Sequence, residues 1–419
     1  MPSFPITAAE LVMSKLTIDF TTATLDSRIT FGRADNTATV VNSGGYVTNI
    51  NANIPRFDYD PISLVCKGLL IEESRINALS YSEQFEQLTY TKTRVKPFGS
   101  GSVVDATTSP ANTLTADKLV EDATASNTHQ ISVSKPFVLG TTYTLSIFAK
   151  ADTRPAISLG FGTTAFPSTR ARFNLTTGIA TTEAGTPNAK ITKYNNGWYR
   201  CSISVAATAT ATDNVIFYIN NGTTVNYSGD GTSGIYIWGA QLETGSFSTS
   251  YIPTTLLAVT RNSDVATMTG TNFSAWWQAS KGGAQVSASP GTVNGIRPWV
   301  QFDDGTANQI IALRGNTTNP ELYIVNLGAP QAQIDAGTIS ANINYNLTGW
   351  WATNDCKARL DGNAVVLDTS ATIPTVTQAR LGSDGTNYLN GHLASINYYN
   401  TFSSQIYTRR KNKAVFSLL

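Results

Sequence analysis

Charge is scarce in this chain: 14% of its 419 residues are Asp, Glu, Lys or Arg, and 29 Lys+Arg against 28 Asp+Glu leave a net charge of +1. Without a basic excess there is no footprint for nucleic acid or for an anionic membrane. Histidine is rarer still. His129 and His392 stand alone and no Gly-x-Ser-x-Gly occurs, so a serine-nucleophile triad has little to be built from. A zinc site would need more than these two scattered rings. Three cysteines, Cys66, Cys201 and Cys356, lie far apart without Cys-x-x-Cys spacing, which excludes a dense disulfide framework and reads as small apolar residues in strands. No apolar run reaches about 18 residues, so membrane insertion is not expected. Nor does the sequence open on a charged n-region followed by a clean apolar stretch, and the expectation is a chain made and folded in a cytoplasm. No cofactor is implied.

What remains is Thr, Ser, Asn, Gly, Ala and β-branched residues, a β-rich composition, over a length that suits two large domains and an appendage. Helical periodicity is missing. "TATVVNSGGYVTNI" has period-2 stretches flanking Asn42-Ser43-Gly44-Gly45 and predicts a hairpin. "TYTLSIFAKA", "ARFNLTTGIATT", "GWYRCSISVAAT", "NVIFYINNG" and "GIYIWGAQLE" are strand-length, aromatic-rich and bounded by turn residues. The same pattern returns in "RPWVQFDDG", "QIIALRG", "ELYIVNLG" and "ARLDGNAVVLD", with Asp361-Gly362 predicted as a two-residue type I′ turn. The predicted fold is all-β: an N-terminal hairpin arm followed by two antiparallel sandwiches of jelly-roll or lectin-like type. The divisions are an attachment arm over 1–60, a hinge strand over 61–77, a jelly roll over 78–255, a second sandwich over 256–400 and a tail over 401–419. The tail carries Arg409, Arg410, Lys411 and Lys413, read as a solvated terminal segment.

"FGRADNTATVVNSGGYVTNINANIPRFDYDP", "KGLLIEESRINAL", "TADKLVED", "NGWYRCSI", "GDGTSGIYIWGAQLETGSFSTSYIPTT" and "VTRNSDVATMTGTNFSAWW", in this order between about residues 28 and 277, resemble a family of tailed-bacteriophage virion proteins of tail-fibre and head-spike-fibre type. The resemblance implies an assembly arm, a carbohydrate-binding-module-like jelly roll and a concanavalin or laminin-G-like sandwich behind it. "NGHLASINYYNTFSSQIYTRR" resembles the closing strand and helix of the latter. The implied role is a non-enzymatic virion protein, a fibre, spike or baseplate-associated subunit, that binds host surface polysaccharide. Its alternatives are a purely structural head fibre and a polysaccharide depolymerase. Virion proteins of head, tail or baseplate are the implied partners, and a homotrimer is expected because the sparsely apolar arm cannot close a core alone. Ile29, Phe31, Val40, Val41, Tyr46 and Ile50 are the arm residues expected to be shared with a partner, with Phe57 and Tyr59 packing near the first sandwich.

Catalytic residues are expected to be none. Glu72 and Glu73 are adjacent on a strand and point to opposite faces, so they cannot act as a facing pair, and Arg75 is close enough to pair with either. Arg56, Asp58 and Asp60 read as turn and ion-pair residues, and Asp303-Asp304 beside Gly305 as turn and cap residues. Asp230 and Asp384 sit in loops that resemble calcium loops but are better explained by turn chemistry, and no metal is expected. Glycan binding calls for an exposed aromatic face beside amides and carboxylates. Trp276, Trp277, Trp350, Trp351, Tyr236 and Trp238 are the candidates, each adjacent tryptophan pair having one member inward and one outward if it lies in a strand.

Overall fold

Strands such as Thr169–Asn174, buried at every second position, dominate the computed structural model, which describes residues 14–400. The chain is all-β, with the N-terminal hairpin and two antiparallel sandwiches that the sequence predicts. How the chain is shared between the sandwiches differs from the expectation.

The first sandwich, built from residues 78–255, has two six-stranded sheets. One runs Asn188–Lys193, Trp198–Ala206, Thr142–Ala151, Gly234–Thr244, Leu114–Val120, Val103–Thr108; the other runs Ile179–Ala184, Thr169–Asn174, Ala156–Phe161, Ala211–Asn220, His129–Phe137, Thr91–Thr93. Leu145, Ile147 and Ala149 from the first meet Ile157, Leu159, Phe173 and Phe217 from the second in a continuous core. Phe148 lies on the opposite face of its strand, where it joins Trp198, Trp238, Tyr251 and Val47 in a satellite cluster.

The second sandwich is assembled from both ends of the chain. Its eight-stranded sheet follows the order Val366–Asp368, Cys356–Leu360, Tyr345–Ala352, Lys281–Ser289, Gly391–Tyr399, Cys66–Ile71, Phe57–Tyr59, with Leu16–Asp19 also paired to Gly391–Tyr399. The facing seven-stranded sheet starts with Thr30–Gly32 against Val265–Thr269 and continues through Gln378–Leu381, Ile296–Asp303, Ile310–Asn316, Asn319–Asn326 and Ala329–Asp335. Leu16, Ile18, Phe20, Ile29, Leu69 and Ile71 share one core with Trp299, Phe302, Trp351 and Tyr398. The jelly roll is therefore an insertion. The chain enters it through Arg75–Asn77 and leaves through Val259–Arg261, and these two short strands pair antiparallel, Asn77 opposite Val259. Asn77 closes this neck: it is fully buried, donates to the carbonyls of Ala240 and Ile252, and accepts from the amides of Leu79 and Leu242.

The attachment arm expected over 1–60 is thus corrected across its described part, residues 14–60. Ile29 is buried in the second core and Phe31 packs against it. Val40 and Val41 are buried, and Tyr46 and Ile50 half-buried, in the hairpin Ala38–Val41/Val47–Ile50. That hairpin turns at Asn42 to Gly45 as predicted, but it lies on the jelly roll: the Val47 amide donates to the Pro110 carbonyl at 2.9 Å and the Asn195 side chain to the Gly44 carbonyl at 3.2 Å. Phe57 packs on the second core, not the first. The hinge over 61–77 is in fact an inner strand, Cys66–Ile71, followed by the neck. The second sandwich is not complete within 256–400, because four of its strands precede residue 72. Asp361-Gly362 begins a longer loop, since Leu360 ends one strand and Val366 starts the next. The tail over 401–419 and its basic residues lie outside the described residues.

Candidate functional site

Edge strand Asn188–Lys193 of the jelly roll pairs with Trp198–Ala206 in a register that sets Asn188 opposite Ser204, Lys190 opposite Ser202 and Thr192 opposite Arg200. The intervening residues Ala189, Ile191, Cys201 and Ile203 face the jelly-roll core, so these three polar rungs project from the other side. There they form one wall of a cleft of about 260 Å³ between the sandwiches. Ser246 to Tyr251 make a second wall. The third comes from the second sandwich: Asp58, Lys67, Gly291, Asn342, Asn390 and His392.

Lys67 and Asp58 reach the cleft because Cys66–Ile71 pairs with Gly391–Tyr399 on one side and with Phe57–Tyr59 on the other, across a tight register. Gly68 lies opposite Asp58 at φ 108°, and a β-carbon there would sit 2.0 Å from the Leu393 carbonyl oxygen, so glycine is the residue that allows the approach. Asp58 accepts from the Val41 amide at 2.8 Å, pairs with Lys67 and lies 2.8 Å from His392 Nε2. Burial alone would raise the Asp58 pKa, but Lys67 and His392 outweigh it and hold the carboxyl down at about 2. His392 is pushed below its ordinary value by burial and by the Lys67 charge, so at neutral pH the ring is uncharged and donates through Nε2 to Asp58. Lys67 is raised: burial opposes its charge and Asp58 more than restores it. Lys190 is lowered, first by desolvation and then by the Arg200 and Lys67 charges. Arg200 donates to the Thr249 carbonyl at 2.6 Å and to Ser146 Oγ at 3.3 Å, and its guanidinium carbon lies 5.4 Å from the Phe148 ring centre. Its Nε–H is buried without an acceptor.

Behind the cleft, where the neck meets the second sandwich, the acid-rich run resolves into a buried ion network. Arg56 pairs with Glu72 at 2.7 Å and with Asp264. Arg33 pairs with Asp264 at 3.2 Å, and Arg261 with Glu72 at 3.5 Å. Ser250 donates its amide and hydroxyl to Glu72 at 2.9 and 2.7 Å. Burial would raise the Glu72 pKa, but Arg261 and Arg56 hold it far below the usual carboxylate range. Glu73 pairs instead with Arg75 at 2.6 Å and accepts from Asn390 at 2.8 Å. The two glutamates are clamps on different partners, and the run containing them locks the neck to the second sandwich.

The predicted aromatic platforms are elsewhere, and the structure does not bring them together as a sugar-binding face. Trp276 is 6% exposed, follows the one-turn helix Thr271–Ser274 and packs with half-buried Trp277 on Phe302 and Tyr398. Neither is in a strand, so the inward–outward argument does not apply to them. Trp351 is fully buried in that same core, while Trp350, 4% exposed, lies over Gly283, which has no side chain to displace it. Trp238 packs on Tyr251 in the satellite cluster, with ring centres 4.7 Å apart and planes tilted by 51°, and its indole N–H donates to Thr115, with Tyr236 half-buried against the cluster. Asp303 is buried and accepts from Gln301, Gly305 and Arg380, while Asp304 accepts from the Thr306 amide in a turn. Asp230 and Asp384 likewise accept from amides two and three residues ahead. Among the described residues no group of three His, Cys, Asp or Glu could hold a metal ion, and no helix is long and apolar enough to cross a membrane.

No family model and no curated protein matches the chain. Solved structures do. The carbohydrate-binding module CBM40 of the Ruminococcus gnavus IT-sialidase, bound to α2,3-sialyllactose, is 14% identical over 30% of this chain and 80% of its own, with a TM-score of 0.26. Domains LG4-5 of the mouse laminin α1 chain are 9% identical over 66% of this chain and 85% of theirs, with a TM-score of 0.23. The LG1-3 region of the laminin α2 chain is 10% identical, covering 67% and 60%, with a TM-score of 0.20. These are likenesses of sandwich type, jelly roll and laminin G, too distant to bear on what this chain binds.

Sequence reasoning missed Asn188, Lys190, Thr192 and Arg200. The signal was present in "NAKITK", whose polar residues at every second position mark one face of a strand as wet, but nothing local says what that face looks at.

Proposed function

We propose that this protein is a non-enzymatic virion component of a tailed bacteriophage, a fibre, spike or baseplate-associated subunit, that holds host surface glycan in the cleft between its sandwiches. The observation that carries the binding role is the wall of cross-strand pairs Asn188–Ser204, Lys190–Ser202 and Thr192–Arg200 facing the hydroxyls of Ser246 and Ser248 and the amides of Asn342 and Asn390. Such a density of donors and acceptors around one concavity suits a ligand made of hydroxyl groups, and Phe247 supplies ring surface beside them. The virion assignment rests on the ordered sequence blocks between residues 28 and 277. Partner virion proteins follow from the same resemblance. A trimer loses its physical motive, because the arm residues expected to need sister subunits are buried or half-buried within this chain.

Absence of cleavage is part of the proposal. The carboxylates at the cleft, Asp58 and Glu72, are each held by cations and hydrogen bonds with depressed pKa values, so neither carries the proton that a general acid must donate to a glycosidic oxygen. Incubating the protein with host capsule or lipopolysaccharide tests both parts. Retention of the polysaccharide, reduced by Lys190→Glu, with no new reducing ends is the expected result. Release of reducing ends would make it a depolymerase, and no retention would leave a purely structural fibre.

A further inference from the structure

The cleft's charges do not cancel. Glu72 is neutralised by Arg56 and Arg261, and Lys67 by Asp58. Lys190 and Arg200 are left: neither forms an ion pair among the described residues, and both belong to adjacent rungs of the same wall. Arg200 spends its terminal nitrogens on a carbonyl and a hydroxyl, and one N–H remains without an acceptor. Two like charges gathered on one wall repel each other, an arrangement that disfavours the empty cleft and that an anion would relieve. At about 260 Å³ the cavity lies below the ~300–1,000 Å³ of drug-sized pockets, room for a single sugar ring and not for a polymer segment.

Resting on the glycan-binding reading, we propose that the cleft selects an acidic sugar residue, one ring carrying one anionic substituent, with that substituent set between Lys190 and Arg200 and the ring against Phe247. The hydroxyls of Ser202, Ser204 and Ser246 and the amides of Asn188 and Asn342 then serve the ring hydroxyls. Phe247 is held from one side by Arg75, whose guanidinium carbon lies 4.8 Å from the ring centre, so it is fixed before the sugar arrives. A carboxylate and a phosphate ester meet the same two cations equally well, and the experiment separates them.

The test uses the full chain and calorimetric titration with three oligosaccharides: a hexuronic acid oligomer, the same oligomer with its carboxyls reduced to alcohols, and a neutral oligomer phosphorylated at one hydroxyl. The expected result is binding of the uronate about 10-fold or more tighter than its reduced form, since a hydrogen bond to a charged group is lost. Lys190→Ala should weaken uronate binding by a larger factor than binding of the reduced form, so that most of the difference between them disappears, and Lys190→Glu should abolish uronate binding. Lys190 sits exposed on an edge strand, so both variants keep the fold, which circular dichroism checks. Tighter binding of the phosphorylated oligomer with the same Lys190 dependence would assign the anion as phosphate. Equal binding of uronate and reduced form overturns the charge selection while leaving glycan binding intact. Failure of all three, together with no retention of host polysaccharide, overturns the glycan reading itself.

Discussion

The two sandwiches solve the same packing problem by opposite routes. The jelly roll is drawn from one unbroken stretch, residues 78–255, and the strands of its two sheets pair only with one another. The second sandwich collects strands from residues 16–71 and 265–399, so that Leu16 pairs with Tyr398. The first should fold on its own. The second cannot close its core until nearly the whole chain exists, and its loop-closure cost is that of bringing the two ends together.

The largest effect expected from this difference comes from truncation. Deleting residues 1–60 removes Leu16, Ile18, Phe20 and Ile29 from the core and strips the Gly391–Tyr399 strand of one partner. The second sandwich should unfold while a separately expressed 78–255 keeps a cooperative thermal transition. A truncated chain that retains both transitions would restore the dispensable arm that the sequence predicts.

Next is the ion network at the neck. Asp264→Ala removes the carboxylate that the buried Arg33 and Arg56 guanidiniums share, leaving Arg56 only Glu72, and should cost about 3–5 kcal/mol in denaturant unfolding. The loss should appear in the second transition more than in the first, because Asp264 joins strands of the second sandwich to the neck.

Acid should weaken the same region by a smaller amount. His392 faces Asp58, Lys67 and Glu72, and its folded pKa is below the ordinary 6.5, so the unfolded chain takes up its proton first. Stability is then highest above about pH 6.5 and falls as pH drops below it, with a further loss as Asp58 is protonated from 3.8 down through about 2. His392→Gln should flatten the first part of the melting-temperature curve and leave the second.

The smallest effect is a null. Lys190→Ala, on an exposed edge, should change stability by no more than about 0.5 kcal/mol, so any loss of glycan binding belongs to the cleft and not to the fold.

The same contrast explains what could be read from residues alone. The jelly-roll strands and the turn at Asn42 to Gly45 announce themselves because their signals are local: alternation, β-branched runs, Asn and Gly at the turn. The placement of Leu16–Asp19 or Thr30–Gly32 does not, because a four-residue strand has no way to show that its partner lies hundreds of residues on. Sparse apolar residues in the first sixty positions looked like an incomplete core, and they are the missing pieces of another one. The tryptophans misled for a related reason: adjacency promises one exposed ring only in a strand with an open face, whereas Trp276 and Trp277 follow a helical turn and Trp350 covers a glycine. The cleft itself needed both sandwiches in place, since Lys190 and His392 come from different domains.

The neck has a genetic consequence. Asn77 and Val259 are opposed across one antiparallel pair, so the ends of the intervening domain are about 5 Å apart. A recombination event that exchanged the coding sequence between them would deliver a new domain to the same two anchor strands without disturbing the host sandwich. Because Asn188, Lys190 and Arg200 travel with the cassette while Asp58, Lys67 and His392 stay behind, each exchange would re-line one side of the cleft and keep the other. The lining of the cleft would then change in a single step while the second sandwich is kept.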